Sequence, residues 1–182
     1  IEKKKQKSPY LAIRASTSDI LESAAGYACV CSAAHPYGYL LFNKGIGRCV
    51  ERDYLPEDLI SRFDALEVIS GGMPRSENMK AVLMAEMYHR GFTGGTDAHL
   101  LQDYGLVLTC AVSENVDEFL DAVIQHRNIV IGREKSFVGK GLMGALVAPR
   151  YIPYLLPSLA IHYEQNVPRL RRFFQRVKGN LK

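Results

Sequence analysis

The sequence predicts an α/β protein made of alternating strands and helices around a parallel sheet or barrel. Two observations carry this. Short apolar runs of strand length, in YACVCSAAH, DALEVIS, YGLVLTCAV and NIVIGR, alternate with stretches of helical period. Glycine- and proline-punctuated loops separate the two kinds of segment. A length of 182 residues suits one domain with enough chain to bury a core, and 47% hydrophobic with 23% charged residues argues against disorder.

The elements follow in order. YACVCSAAH reads as a buried strand leading into the loop PYGYLLFNKGIGR. LPEDLISRF reads as a helix, with Pro56 at a first helical position and Glu57 and Asp58 where the helix dipole favours acids. DALEVIS is the next strand. SENMKAVLMAEMYHRG is a helix of good formers that Gly91 would stop. FTGGTDAH runs to a strand end, and YGLVLTCAV is a further strand. In NVDEFLDAVIQH, Val116, Phe119, Leu120, Val123 and Ile124 recur at helical spacing, and Asn115 with Glu118 makes a cap pair. NIVIGR closes the series as a short strand.

The net charge of +4 is uneven. Residues 1–10 carry four lysines against Glu2. Residues 167–182 carry Arg169, Arg171, Arg172, Arg176, Lys178 and Lys182 with no acid, so the middle of the chain is acidic. The basic character belongs to the ends. Cys29, Cys31, Cys49 and Cys110 fit no zinc-ribbon spacing and read as small buried thiols in a reducing compartment. No apolar run is long enough to cross a membrane; YIPYLLPSLAI is short and broken by Pro153 and Pro157. The basic start lacks the apolar core of a secretory signal, so a cytoplasmic protein is expected.

In folds of this class, chemistry gathers at the carboxyl ends of strands. His35 follows one strand, Gly71 and Gly72 the next, and Asp97 and His99 the third. If that last segment is extended, Asp97 and His99 point to the same side. Imidazole nitrogen with carboxylate oxygen suits Zn, Mn or Fe. The bland reading is a turn histidine bonded to a carbonyl beside an aspartate that caps a helix.

The motifs SAAHPYG, DALEVISGG with Asn78 beyond it, and GFTGGTDAHLLQDYGLVLT resemble the second half of a PHP (polymerase and histidinol phosphatase) domain over about residues 18–135. The resemblance implies a distorted β/α barrel with two or three divalent metal ions at its strand ends. It implies hydrolysis of phosphate esters by a metal-bound water, with a phosphorylated small molecule or nucleotide as substrate. It carries over His35, Asp97 and His99 as metal ligands. Glu67 matches a family position read as structural as often as functional and is left off the site. The departure is the family's early His-x-His pair, since no histidine precedes His35. A fragment or a degenerate member would both explain this, and the start without Met favours a fragment. Three ligands do not build the family's full cluster, so these residues alone should make a poor enzyme. A non-catalytic PHP-like scaffolding or regulatory module is the alternative.

The expected organisation is a basic segment over 1–17, the late half of the barrel over 18–148, and an irregular segment with a basic amphipathic helix over 149–182. His89, His126 and His162 read as surface or packing residues. Lys44, Arg48 and Arg75 read as solvated loop charges. The tail spaces Val167, Leu170, Phe173, Phe174 and Val177 along a helical face ringed by arginines. Such a helix suits a membrane surface, a nucleic-acid backbone or a partner. The expectation is that its apolar face is buried on its own domain or in a homo-oligomer.

Overall fold

The computed structural model describes residues 14–38 and 45–179. The expected basic segment therefore lies largely outside the described residues, as does Lys44. Three strands, β1 (Ser32–Ala33), β2 (Ala65–Ser70) and β3 (Gly91–Gly95), form a parallel sheet in the order β1-β2-β3. β4 (Val107–Ala111) and β5 (Asn128–Gly132) pair separately. The helices are α1 (Thr17–Ala24), α2 (Ile46–Glu51), α3 (Arg75–Met87), α4 (Val116–Ile124) and α5 (Phe137–Gly179). The fold is mixed α/β with a small parallel sheet. Among the described residues the strands do not close into a barrel.

The core lies between the parallel sheet and its helices. Leu66 and Val68 of β2 meet Ala81, Met84 and Ala85 of α3, with Leu59, Ile60 and Phe63 from the turn before β2. The helix expected there is a 3-10 helix, Glu57–Arg62. β2 is buried on both faces except at Glu67 and Ile69, as a central parallel strand must be.

Several expectations change. β4 and β5 run antiparallel, with Leu108 opposite Ile131 and Cys110 opposite Ile129. Leu108, Ile129 and Ile131 are exposed, and antiparallel pairing tolerates one bare face where parallel sheets need cover on both. Gly91 does not stop α3; it begins β3, where an added Cβ would press on the Val123 carbonyl. The reversal after α3 falls instead at His89, and that after α4 at His126, both in the left-handed region. Cys29 is exposed, Cys31 and Cys110 are partly exposed, and Cys49 alone of the four is buried. The strand read through Cys29 and Cys31 is only the two residues of β1.

Two compact units divide the chain. One is Thr17–Met143, which holds the sheets and the core. The other combines the chain up to Ser16 with Gly144 onward. The segment expected to be irregular is helical within α5, which continues through Pro149, Pro153, Pro157 and Pro168. Pro149, Pro153 and Pro157, spaced by four, lie along one side of the helix, and each removes an N–H donor there. No helix among the described residues is long and apolar enough to cross a membrane.

Candidate functional site

The parallel register brings three strand ends side by side. Ala33 of β1 pairs with Leu66 of β2, and Ser70 of β2 pairs with Gly95 of β3. His35, Gly71–Gly72 and Asp97 therefore leave the same edge of the sheet. His35 sits at φ 28° and Asp97 at φ 46°, both left-handed. Aspartate and histidine enter that region more readily than most residues, and backbone held there concentrates at functional sites.

Glu67 ties the first strand end to the second. Its Oε2 accepts a hydrogen bond from the His35 backbone N–H at 2.5 Å. Its Oε1 lies against Gly95, where any Cβ would overlap it. Burial pushes the Glu67 carboxyl above the usual range, the hydrogen bond from His35 opposes that shift, and the nearby Asp97 charge adds to it. His35, Glu67 and Asp97 thus share one electrostatic environment.

Asp97 is clamped from both sides. Its Oδ2 lies where a Cβ on Gly72 would stand, so the bare glycine makes room for the carboxylate. Its Oδ1 is 3.5 Å from His99 Nε2. The Lys135 ammonium donates to the Asp97 carbonyl at 2.6 Å and pairs with Asp103 Oδ2 at 2.9 Å. The Lys135 side chain is only 3% exposed. Its hydrogen bond holds the Asp103 carboxyl below the usual carboxylate range. The Lys135 backbone N–H also bonds the Gly71 carbonyl at 2.8 Å. One lysine therefore joins the end of β2, the turn at Asp97 and the short helix that ends at Asp103.

The second layer is equally local. Asn78, in the first turn of α3, bonds the Ser70 N–H and carbonyl at 3.1 Å each and reaches Glu134 at 3.2 Å. Arg48 belongs to α2, donates to the Tyr37 carbonyl and pairs with Glu77 at 2.6 Å. It is a largely buried structural pair rather than the solvated loop charge expected, and it steadies the turn that follows His35. Arg75 opens α3 instead of lying in a loop.

Of the three expected metal ligands, the structure brings Asp97 and His99 together and sets His35 at the end of β1, with β2 between them, where its backbone is bonded by Glu67 of β2. The segment is not extended, as expected, but turned at Asp97, and the turn folds the carboxylate over Gly72. Carboxylate and imidazole are donor types that suit Zn, Mn or Fe. Among the described residues no three His, Cys, Asp or Glu side chains gather around one point that could hold an ion. The donor types fit; their number falls short of a complete set. Sequence reasoning missed Lys135 and Asp103 and set Glu67 aside. Glu67 had one signal, a lone acid inside an apolar strand.

Residues 75–128 match the family model described as PHP-associated, and this stretch is consistent with the carboxyl-terminal part of a PHP domain. The matched stretch contains α3, β3, the Asp97–His99 turn, β4 and α4. No curated protein and no solved structure matches the chain.

Proposed function

We propose that the chain carries the carboxyl-terminal part of a PHP-type domain, as a fragment or a degenerate member, and serves metal-dependent hydrolysis of a phosphorylated small molecule or nucleotide. The observation that supports this best is the pairing of Asp97 with His99 at the carboxyl edge of a parallel sheet, beside His35 and Glu67. Asp97 and His99 would contribute oxygen and nitrogen donors to a divalent ion (Zn, Mn or Fe), and His35 a further nitrogen. Such an ion supplies charge neutralisation for a phosphoryl group and acidifies a water.

The chain's own residues hold this arrangement ready. Glu67 fixes the backbone of His35. Lys135 fixes the Asp97 carbonyl and so the direction of its carboxylate. The Asp97 Oδ1 stands 3.5 Å from His99 Nε2, so the two donors would face the same ion. Free thiols and a site of this type accord with a cytoplasmic setting.

The test is divalent-ion binding by calorimetry together with hydrolysis of a generic phosphomonoester. Mn²⁺ or Zn²⁺ should bind the chain, and Asp97→Asn should weaken binding by about 10–100-fold, the range over which even supporting residues act. Any hydrolysis should require added metal and vanish with Asp97→Asn. Hydrolysis that survives chelation, or an Asn variant as active as the original, overturns the reading. Absence of ion binding in the intact protein would favour the non-catalytic module instead.

A further inference from the structure

We infer that α5 lies on the surface of an anionic lipid bilayer, and that this holds independently of the phosphoesterase reading. At about 100° per residue, Ile152, Leu156, Leu159, Tyr163 and Leu170 fall within roughly 60° of arc. All five are exposed, Leu156 by 77% and Tyr163 by 71%. Among the described side chains of the helix, Val147, Ser158 and Ile161 are buried, and they lie on nearly the opposite side. The stripe is therefore exposed along its length, and Phe174, 59% exposed, falls on the same side. A stripe of this length is more than isolated exposed apolar residues account for.

Charge selects the occupant. From Phe137 to Gly179 the helix carries Lys140, Arg150, Arg169, Arg171, Arg172, Arg176 and Lys178 against Glu164 alone. Arg14 already pairs with Glu164 at 3.0 Å. A basic helix with an apolar stripe binds a surface that is both negative and apolar beneath, and the boundary of an anionic bilayer is such a surface. A second copy of the chain would bring two strongly basic helices together with only Glu164, already paired with Arg14, to offset them. A nucleic acid would meet the arginines but leave Ile152, Leu156, Leu159 and Leu170 without a role, because base stacking uses aromatic rings.

The helix lies flat rather than across the bilayer. No described helix is long and apolar enough to span. Lying at the interface also keeps the carbonyls that Pro149, Pro153 and Pro157 deprive of donors within reach of water.

The experiment is flotation of the full chain with phosphatidylcholine vesicles with and without 30 mol% phosphatidylserine (about one lipid in three anionic, to set the surface potential). Binding should require phosphatidylserine and fall with added salt. Leu156→Asp with Leu159→Asp should weaken it roughly tenfold or more, because each leucine loses its burial. Arg171→Glu with Lys178→Glu should do the same through charge. Both pairs lie on exposed positions, so circular dichroism should be unchanged. The chain has no tryptophan, so Leu156→Trp gives a single reporter whose emission should shift to the blue on anionic vesicles and be quenched by brominated acyl chains. The inference is overturned if the original chain does not float with anionic vesicles, or if the emission of the Leu156→Trp variant does not shift. It is also overturned if the chain instead binds RNA with the leucine pair neutral, or forms a dimer that Leu156→Asp dissociates.

Discussion

At Lys135 a buried ammonium meets a carbonyl of one turn and a carboxylate of another, and this makes it the residue on which the site's geometry turns. Removing one partner of a buried ion pair leaves the other desolvated without compensation. We expect Lys135→Met, which keeps most of the volume, to lower unfolding free energy by about 3–5 kcal/mol in urea denaturation. A loss below about 1 kcal/mol, the value of an exposed pair, would mean that the clamp is not formed in solution. The same scale shows what local reading can reach. The position of His35, Asp97 and His99 beyond strand ends was legible because two short motifs place them after apolar runs. Lys135 was not, because its partner at Asp97 lies 38 residues away and nothing near Lys135 marks it. Glu67 was visible as an acid in a strand, but only the fold shows that it reaches the His35 backbone.

Among the elements, α4 was the most legible. Its apolar spacing and its Asn115–Glu118 cap pair both appear in the structure, where Asn115 Oδ1 accepts from the Glu118 N–H at 2.9 Å. Asn115→Ala should therefore cost about 1 kcal/mol, read as a lower thermal midpoint with the fold unchanged. A variant that melts with the original protein would show that the exposed cap contributes nothing. α1 was not legible, since eight residues with only Leu21 buried leave little periodic signal. The prolines of α5 hid its length. Their local preference against helix is real, yet α5 runs through all four. The direction of β5 was also hidden, because alternation reports which face is buried and not which way a strand runs.

For the whole molecule, the consequence of the two-unit division can be measured. Among the described residues, the main buried cluster, from Leu21 to Ala85, and the partly buried residues packed on it belong to Thr17–Met143. A unit of this size has surface to bury and a core of its own. We expect a protein truncated after Met143 to retain a cooperative thermal transition and its sheet signal. Loss of cooperativity on truncation would mean that the carboxyl-terminal unit completes the core. The tail's apolar face was expected to be buried on its own domain or in a homo-oligomer; within the single chain Leu170 is 54% and Phe174 59% exposed, while Phe173 and Val177 have side chains outside the described set.

The sequence by itself determined the α/β alternation, the helix cap at Asn115, the uneven charge and the placing of His35, Asp97 and His99 after apolar runs. These are effects of neighbours along the chain: periodicity, capping and composition act over a few residues. Only the tertiary structure decided that Asp97 turns left-handed over Gly72, that Glu67 bridges to His35, that Lys135 joins two turns, and that β5 runs against β4. Each of these depends on which distant segments the core brings into register. Burial then changes the energy of the groups that meet there, raising the Glu67 carboxyl, while the Lys135 hydrogen bond lowers that of Asp103.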